Sequence, residues 1–184
     1  MSEKKKPANA ADQLFTLRAT MIAGNATDEF IEENPVVSRT IEIKGSQTLK
    51  TLHYAIFESV EFEDEHLYQF EIGGKKPFSK NATVYALQPP VGSMGGLGAV
   101  MFGEMKKEKG VTQTKISSLG LKPKQKFFYW FDFGDDWWWE IVVLSIGDEV
   151  TKGKYPRVIE RVGENPPQYV DWDAEEEDEF EERD

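Results

Sequence analysis

The stretch Phe127–Ile146, FFYWFDFGDDWWWEIVVLSI, decides the reading of this chain. Two runs of apolar and aromatic residues flank Gly134-Asp135-Asp136, a tripeptide with turn chemistry. Strand-like runs on either side of such a break predict a β-hairpin. The same stretch gathers four carboxylates, Asp132, Asp135, Asp136 and Glu140, beside the consecutive tryptophans Trp137, Trp138 and Trp139. No other part of the sequence puts so much polar chemistry next to so much aromatic surface.

With a three-residue loop at 134–136, residue 133 pairs with 137, 132 with 138 and 130 with 140. One face then carries Phe127, Tyr129, Phe131, Phe133, Trp137, Trp139, Ile141 and Val143. The other carries Phe128, Trp130, Asp132, Trp138, Glu140 and Val142. Asp132 and Glu140 lie diagonally across the two strands, within reach of a common ion or of each other. A two-residue loop would shift the parity and separate them. Paired carboxylates can bind a hard cation, or divide into acid and base when burial pushes their pKa values apart. The plainer reading is turn chemistry, with Asp132 accepting backbone N–H bonds while Asp135 and Asp136 solvate the turn. Because strand residues alternate, Trp137–Trp139 cannot all point inward, and at least one is expected to form a contact surface or cover a groove. The competing explanation is structural, with one face on the core and the other under a Gly-rich loop.

Outward from the hairpin, Gln13–Ala23 and Val36–Lys44 alternate apolar with polar residues and predict two strands paired across a polar loop, Asn25–Pro35. Ser46 is expected to cap a helix whose apolar face holds Leu49, Leu52, His53, Ile56 and Val60, ending near Val60. His66–Ile72 alternates again, Gly73-Gly74 ends it, and residues 81–87 are a further strand candidate. Gln88–Gly110 is rich in glycine without periodicity and opens an insertion taken as 88–113, mobile and helical in part at 99–108. Lys115–Leu119 reads as a helical turn and Lys154–Val162 as a last strand. This order predicts an α+β fold: a β-grasp-like mixed sheet with one main helix packed across it, plus the long aromatic hairpin. A single domain would span 13–170, between a disordered N-terminus at 1–12 and a disordered acidic tail at 171–184.

Composition bounds the chemistry. The 184 residues, 39% of them hydrophobic and 12% aromatic, suffice for one domain with a real core. There is no cysteine, which excludes disulfides, thiolate metal sites and cysteine nucleophiles. Of the net charge of −11, residues 171–184 hold −9, from ten acidic residues and one arginine, so the body is near neutral. That tail could mask a basic patch or mimic nucleic acid; the simpler reading is a solvated terminus. Lysines at 4–6, 75–76 and 106–109 are scattered, so nucleic acid is not the expected partner. No signal-peptide pattern opens the sequence and no apolar run reaches membrane-spanning length, and a soluble cytoplasmic protein is expected.

Two short motifs and the two histidines invite chemical readings. Asp132-Phe133-Gly134 spells the magnesium-binding tripeptide of protein kinases, but the other kinase motifs are missing. Met94–Gly98 lacks the lysine and hydroxyl of a Walker loop. His66 follows Glu61, Glu63, Asp64 and Glu65 and could join a carboxylate-rich metal site, or be a strand-edge histidine bonded to a backbone or carboxylate group. His53, on the apolar helix face, reads as a core histidine.

Four segments, TLRATMIAG, VVSRTIEIKGSQTLKTLHYAIFESVEFEDEHLYQFEIGGK, KFFYWFDFGDDWWWEIVVLSI and YPRVIERVGENPPQ, cover most of residues 14–168. In that order they resemble the open-reading-frame-three-like family named from a root-inducing (Ri) plasmid of pRiA type. The resemblance implies a compact α+β domain and no established activity. The chain departs from the family pattern in several places. Val37-Ser38-Arg39 stands where members commonly show Trp-Arg-Arg, and Tyr68 and Trp139 stand where they often carry histidines. Asn165-Pro166-Pro167-Gln168 lacks the cysteines that some members carry beside the Pro-Pro pair. What remains as a candidate site is Arg39, His66, Asp132, Asp135, Asp136 and Glu140, a set suited to Mg²⁺ or Mn²⁺ and poor for zinc. No cofactor is required by it. The leading expectation is a non-catalytic binding domain that meets a protein or peptide partner through its aromatic hairpin and Gly-rich loop. The alternative is a divalent-metal-dependent hydrolase or nuclease with a carboxylate/His site.

Overall fold

A computed structural model describes residues 10–63, 65–87, 109–148 and 150–170. Eight strands form one sheet in the order β5-β4-β3-β6-β7-β1-β2-β8. They are β1 (Leu14–Ala23), β2 (Ser38–Lys44), β3 (Tyr68–Ile72), β4 (Thr83–Ala86), β5 (Lys109–Gly110), β6 (Lys126–Phe131), β7 (Trp137–Gly147) and β8 (Arg157–Val162). Two α-helices, α1 (Asp28–Glu33) and α2 (Leu49–Ser59), and short 3₁₀ turns at Ala10–Asp12 and Ile116–Leu119 complete the described elements. The α+β class is as expected. The mixed pairing expected of a β-grasp-like sheet is found at one edge alone, where β4 and β5 run parallel; β1 and β7, at the centre, are antiparallel.

Two expectations near the N-terminus are corrected. The predicted loop 25–35 contains α1, because Thr27 turns its hydroxyl onto the Phe30 amide at 3.1 Å and caps one orphan donor. The cap of α2 is Thr48, whose Oγ1 accepts from the Thr51 amide at 3.3 Å, not Ser46. Ala10–Asp12 is ordered as a turn. The expectations for residues 1–9, 88–108 and 171–184 lie outside the described residues. Among the described residues no helix is long and apolar enough to cross a membrane.

The core lies between one sheet face and α2. Leu49, Leu52, His53, Ala55, Ile56 and Phe57 of α2 are buried against Phe15, Leu17, Ile41, Phe70, Phe127 and Phe131. The helix contributes these at three- and four-residue spacing and the strands at two, so one apolar stripe meets one apolar face. Burying each such side chain stabilises the fold by about 1.5–3 kcal/mol before conformational entropy is charged against it. On the opposite sheet face Phe128, Trp130 and Trp138 form a second, smaller cluster. The indoles of Trp130 and Trp138 stack at 4.8 Å, with Phe78 edge-on to both and Phe133 packed on Trp130.

This second cluster corrects the expected tryptophan surface. Trp137 and Trp139 enter the main core at 0% and 1% exposure, and Trp138 is 5% exposed in the other cluster. The strand alternation is obeyed, but both faces of the hairpin are covered. Gly24 takes part in that covering, since any Cβ there would collide with the Trp137 ring.

Candidate functional site at the hairpin tip

The β6–β7 ladder closes on Phe131↔Trp137, with Trp130↔Trp138 and Phe128↔Glu140 below it. The loop is therefore residues 132–136, five residues and not the expected three. A change of two keeps the parity, so the predicted faces survive, but Asp132 and Phe133 leave the strand. Asp132 and Asp136 take left-handed backbone, φ 51° and 54°. Aspartate tolerates this because its short side chain can bond locally. Here Asp132 Oδ1 accepts the Gly134 amide at 3.0 Å, and the Asp132 carbonyl accepts the Asp136 amide at 2.8 Å. The Asp132 amide donates to the Leu67 carbonyl at 3.0 Å, which ties the turn to the residue before β3.

Three further segments meet this turn. His66 places Nε2 3.4 Å from Asp132 Oδ2 and 2.8 Å from the Tyr169 hydroxyl. Asn25, in the β1–α1 loop, donates from Nδ2 to Asp135 Oδ1 at 3.4 Å. Burial, followed by the neighbouring Asp132 carboxylate, raises the Asp135 pKa, while His66 and the Asn25 bond act against that rise. Asp132 is buried, Asp135 half-buried and Asp136 exposed, so the turn offers its carboxylates at graded depth. Glu61, Glu63 and Glu65 are exposed on the adjoining segment, and no lysine or arginine occurs at 58–67 or 127–139. Leu67 and Tyr169, 58% and 52% exposed, add an apolar rim.

The remaining predicted site residues lie elsewhere. Glu140 sits on β7 opposite Phe128 and is held by Lys126, Nζ–Oε1 2.9 Å. Asp132 lies four residue steps beyond Phe128, about 13 Å along an extended chain, so the expected Asp132–Glu140 pair does not form. Arg39 points into the core side of β2 at 1% exposure. Its Nε donates to the Ser59 carbonyl at 3.1 Å, Nη1 to the carbonyls of Ser38 and Val162 at 2.8 and 2.9 Å, and Nη2 to Asn165 Oδ1 at 2.6 Å. Burial, then Arg161, holds this guanidinium pKa below its ordinary value, with Glu61 opposing. Arg39 is thus a clamp joining the end of α2 to the segment after β8. Among the described residues no group of three or more His, Asp or Glu side chains comes together in a way that could hold a metal ion. The Mg²⁺ or Mn²⁺ ligand set of the alternative, hydrolase reading is not assembled among the described residues.

Sequence reasoning missed Asn25 and Tyr169. Tyr169 arrives because residues 163–169 cross this end of the domain as a strap. Arg39 fixes its start, the Glu164 amide donates to Asn34 Oδ1 at 2.8 Å, and Gln168 Oε1 accepts the Glu63 amide at 2.7 Å. The Asn-Pro-Pro-Gln stretch was the available signal, since paired prolines favour an extended segment. The buried histidine matches its expectation: His53 stacks on Tyr68 at 3.7 Å and its Nδ1 meets the Tyr129 hydroxyl at 2.7 Å.

Comparison with known proteins gives a family and a fold. The model of the plasmid pRiA4b ORF-3-like protein family matches residues 29–176, and the chain belongs to that family. No curated protein matches. A crystal structure of a protein of unknown function, MM3350 from Methanosarcina mazei Go1, superposes with a TM-score of 0.62 at 18% identity, covering 92% of this chain and 80% of that one. That likeness shows the fold alone.

Proposed function

We propose that this member of the plasmid pRiA4b ORF-3-like family is a non-catalytic binding domain whose recognition surface is the hairpin tip, and whose partner is an extended protein or peptide segment bearing basic residues. The observation that carries this reading is the strap. This end of the domain already holds an extended segment of its own chain, taking a side-chain amide oxygen on the Glu63 N–H and a phenol on His66. The turn beside it is fixed by its own hydrogen bonds, so little ordering is needed when a partner arrives. The negative field of Glu61, Glu63, Glu65, Asp135 and Asp136 favours a cationic segment and repels an anionic one. The expectation of a contact surface made by Trp137–Trp139 is given up, since all three are buried. The metal-dependent hydrolase alternative is weakened by the scattered ligand set. A cytoplasmic location and a β-grasp-like description of the β1–β2–α2 unit, a hairpin followed by a helix across the sheet, belong to the same reading.

The test is a titration of ¹⁵N-labelled protein with the synthetic hexapeptide Lys-Pro-Pro-Gln-Tyr-Lys. Amide shifts should concentrate at Glu63, His66 and 132–136 and weaken as salt is raised past a Debye length of about 8–10 Å. The double substitution Asp135→Asn, Asp136→Asn should reduce them. Shifts that are absent, or that the double variant leaves unchanged, would refute the proposal.

A further inference from the structure

Deepening that reading, and resting on it for the identity of the site, we infer that Tyr169 is an intramolecular mask: it occupies the His66 position that a partner's side chain would take, and it is released while the start of the strap stays anchored on Arg39. The strap is bonded unevenly along its length. At its start, Val162, Glu164 and Asn165 give oxygens to the buried Arg39 guanidinium, and Pro166 is buried. Removing those contacts would leave a charge unpaired in the core, so this part is an anchor. Beyond it the character changes. Pro167 is exposed, Gln168 bonds the amide of an exposed residue, Glu63, and Tyr169 is 52% exposed. Its hydroxyl meets His66, whose side chain is itself 38% exposed. Hydrogen bonds between exposed groups exchange readily with water and contribute little net stability.

The charge of the sequence acts in the same direction. Tyr169 bonds His66, which stands beside Asp132 and follows the segment of Glu61 and Glu63. A cationic partner is attracted to these carboxylates and would lower the energy of the open arrangement. Arg39 has a positioning role here. It sets where the strap enters, and hence that the residue four places after Asn165 can reach His66. A ligand can shift this equilibrium only through a difference in affinity for the two states, and the difference here is the place on His66 Nε2 that the Tyr169 hydroxyl vacates, with Asp132 Oδ2 still 3.4 Å away.

The chain has two histidines, which makes the mask measurable without knowing the partner. His66 reacts with diethyl pyrocarbonate at a rate that rises as the reagent gains access to its ring, whereas His53, 1% exposed, is the internal unreactive standard. In the full-length protein, Tyr169→Phe, which loses only the hydroxyl, should raise the His66 rate about two- to tenfold, the range one net hydrogen bond corresponds to. Tyr169→Ala should raise it at least as far. His53 should stay unmodified in both, which shows that the variants are folded. Equal His66 rates in wild type and Tyr169→Ala would overturn the mask, whatever the peptide titration shows. A raised rate with no peptide shifts would keep the mask and overturn the binding function.

Discussion

The two histidines of this chain make nearly the same bond and have opposite fates. His53 Nδ1 meets the hydroxyl of Tyr129 at 2.7 Å and His66 Nε2 meets that of Tyr169 at 2.8 Å. Both rings lie about equally far from Phe131, at 6.1 and 6.0 Å. Yet His53 is sealed under α2, stacked on Tyr68, while His66 stands at the sheet's end beside Asp132 and open to solvent. Local chemistry does not separate a structural histidine from an available one; the surroundings do. In the core, burial disfavours the charged ring and the imidazole acts as a flat, hydrogen-bonded packing unit. At the tip, the same ring stands beside a carboxylate with its side chain 38% exposed.

The largest expected break in that comparison is His53→Ala. Loss of a fully buried ring leaves a cavity and an orphaned Tyr129 hydroxyl, and should cost roughly 2–4 kcal/mol of stability, read from the denaturant midpoint. A smaller effect separates the two by pH. Burial, with a lesser contribution from Lys50, pushes the His53 pKa down to about 3, against about 6.5 in the unfolded chain. Between those values the unfolded state binds a proton that the folded state does not. The contribution is therefore complete above about pH 6.5 and is lost progressively as the pH falls toward the folded value. From pH 7.5 to 4.5 the loss is about 2–3 kcal/mol, and it should disappear from the difference between those pH values in His53→Gln. An identical pH dependence in the variant would mean that the ring does not resist protonation. The smallest effect is that of His66→Ala, within about 0.5 kcal/mol of wild type by the same denaturation. A loss of several kcal/mol there would place His66 with His53 as a structural residue and end its candidacy for recognition.

How much of this could be read beforehand depends on the range of the interaction. The strands around β1, β2 and β3, the apolar face of α2 and the two faces of the hairpin follow from periodicity, which is local. The hairpin faces held even though the loop is five residues, because both lengths preserve parity. The Asp132–Glu140 diagonal did not survive, since it needed the register itself, and that goes with a five-residue turn held by its own bonds and by one to Leu67. Helix α1 escaped notice because it is six residues with no buried side chain, so no apolar stripe marks it. The burial of Trp138 depends on Phe78, sixty positions away in sequence, crossing to its face. Arg39 stands out in the sequence as a candidate site residue beside His66 and the carboxylates of the hairpin. It was instead given carbonyl oxygens by a strap that passes it more than a hundred residues later. Asn25 and Tyr169 join the site by the same long-range closure.

The Arg39 clamp has a bearing on where this domain can be cut. The backbone and side-chain oxygens of Glu164 and Asn165 complete the solvation of a buried cation that the strands satisfy only in part. The cooperative unit therefore extends through Asn165, well past the last strand. A fragment ended at Val162 would contain every strand of the sheet, yet would have to fold around an ion stripped of part of its solvation.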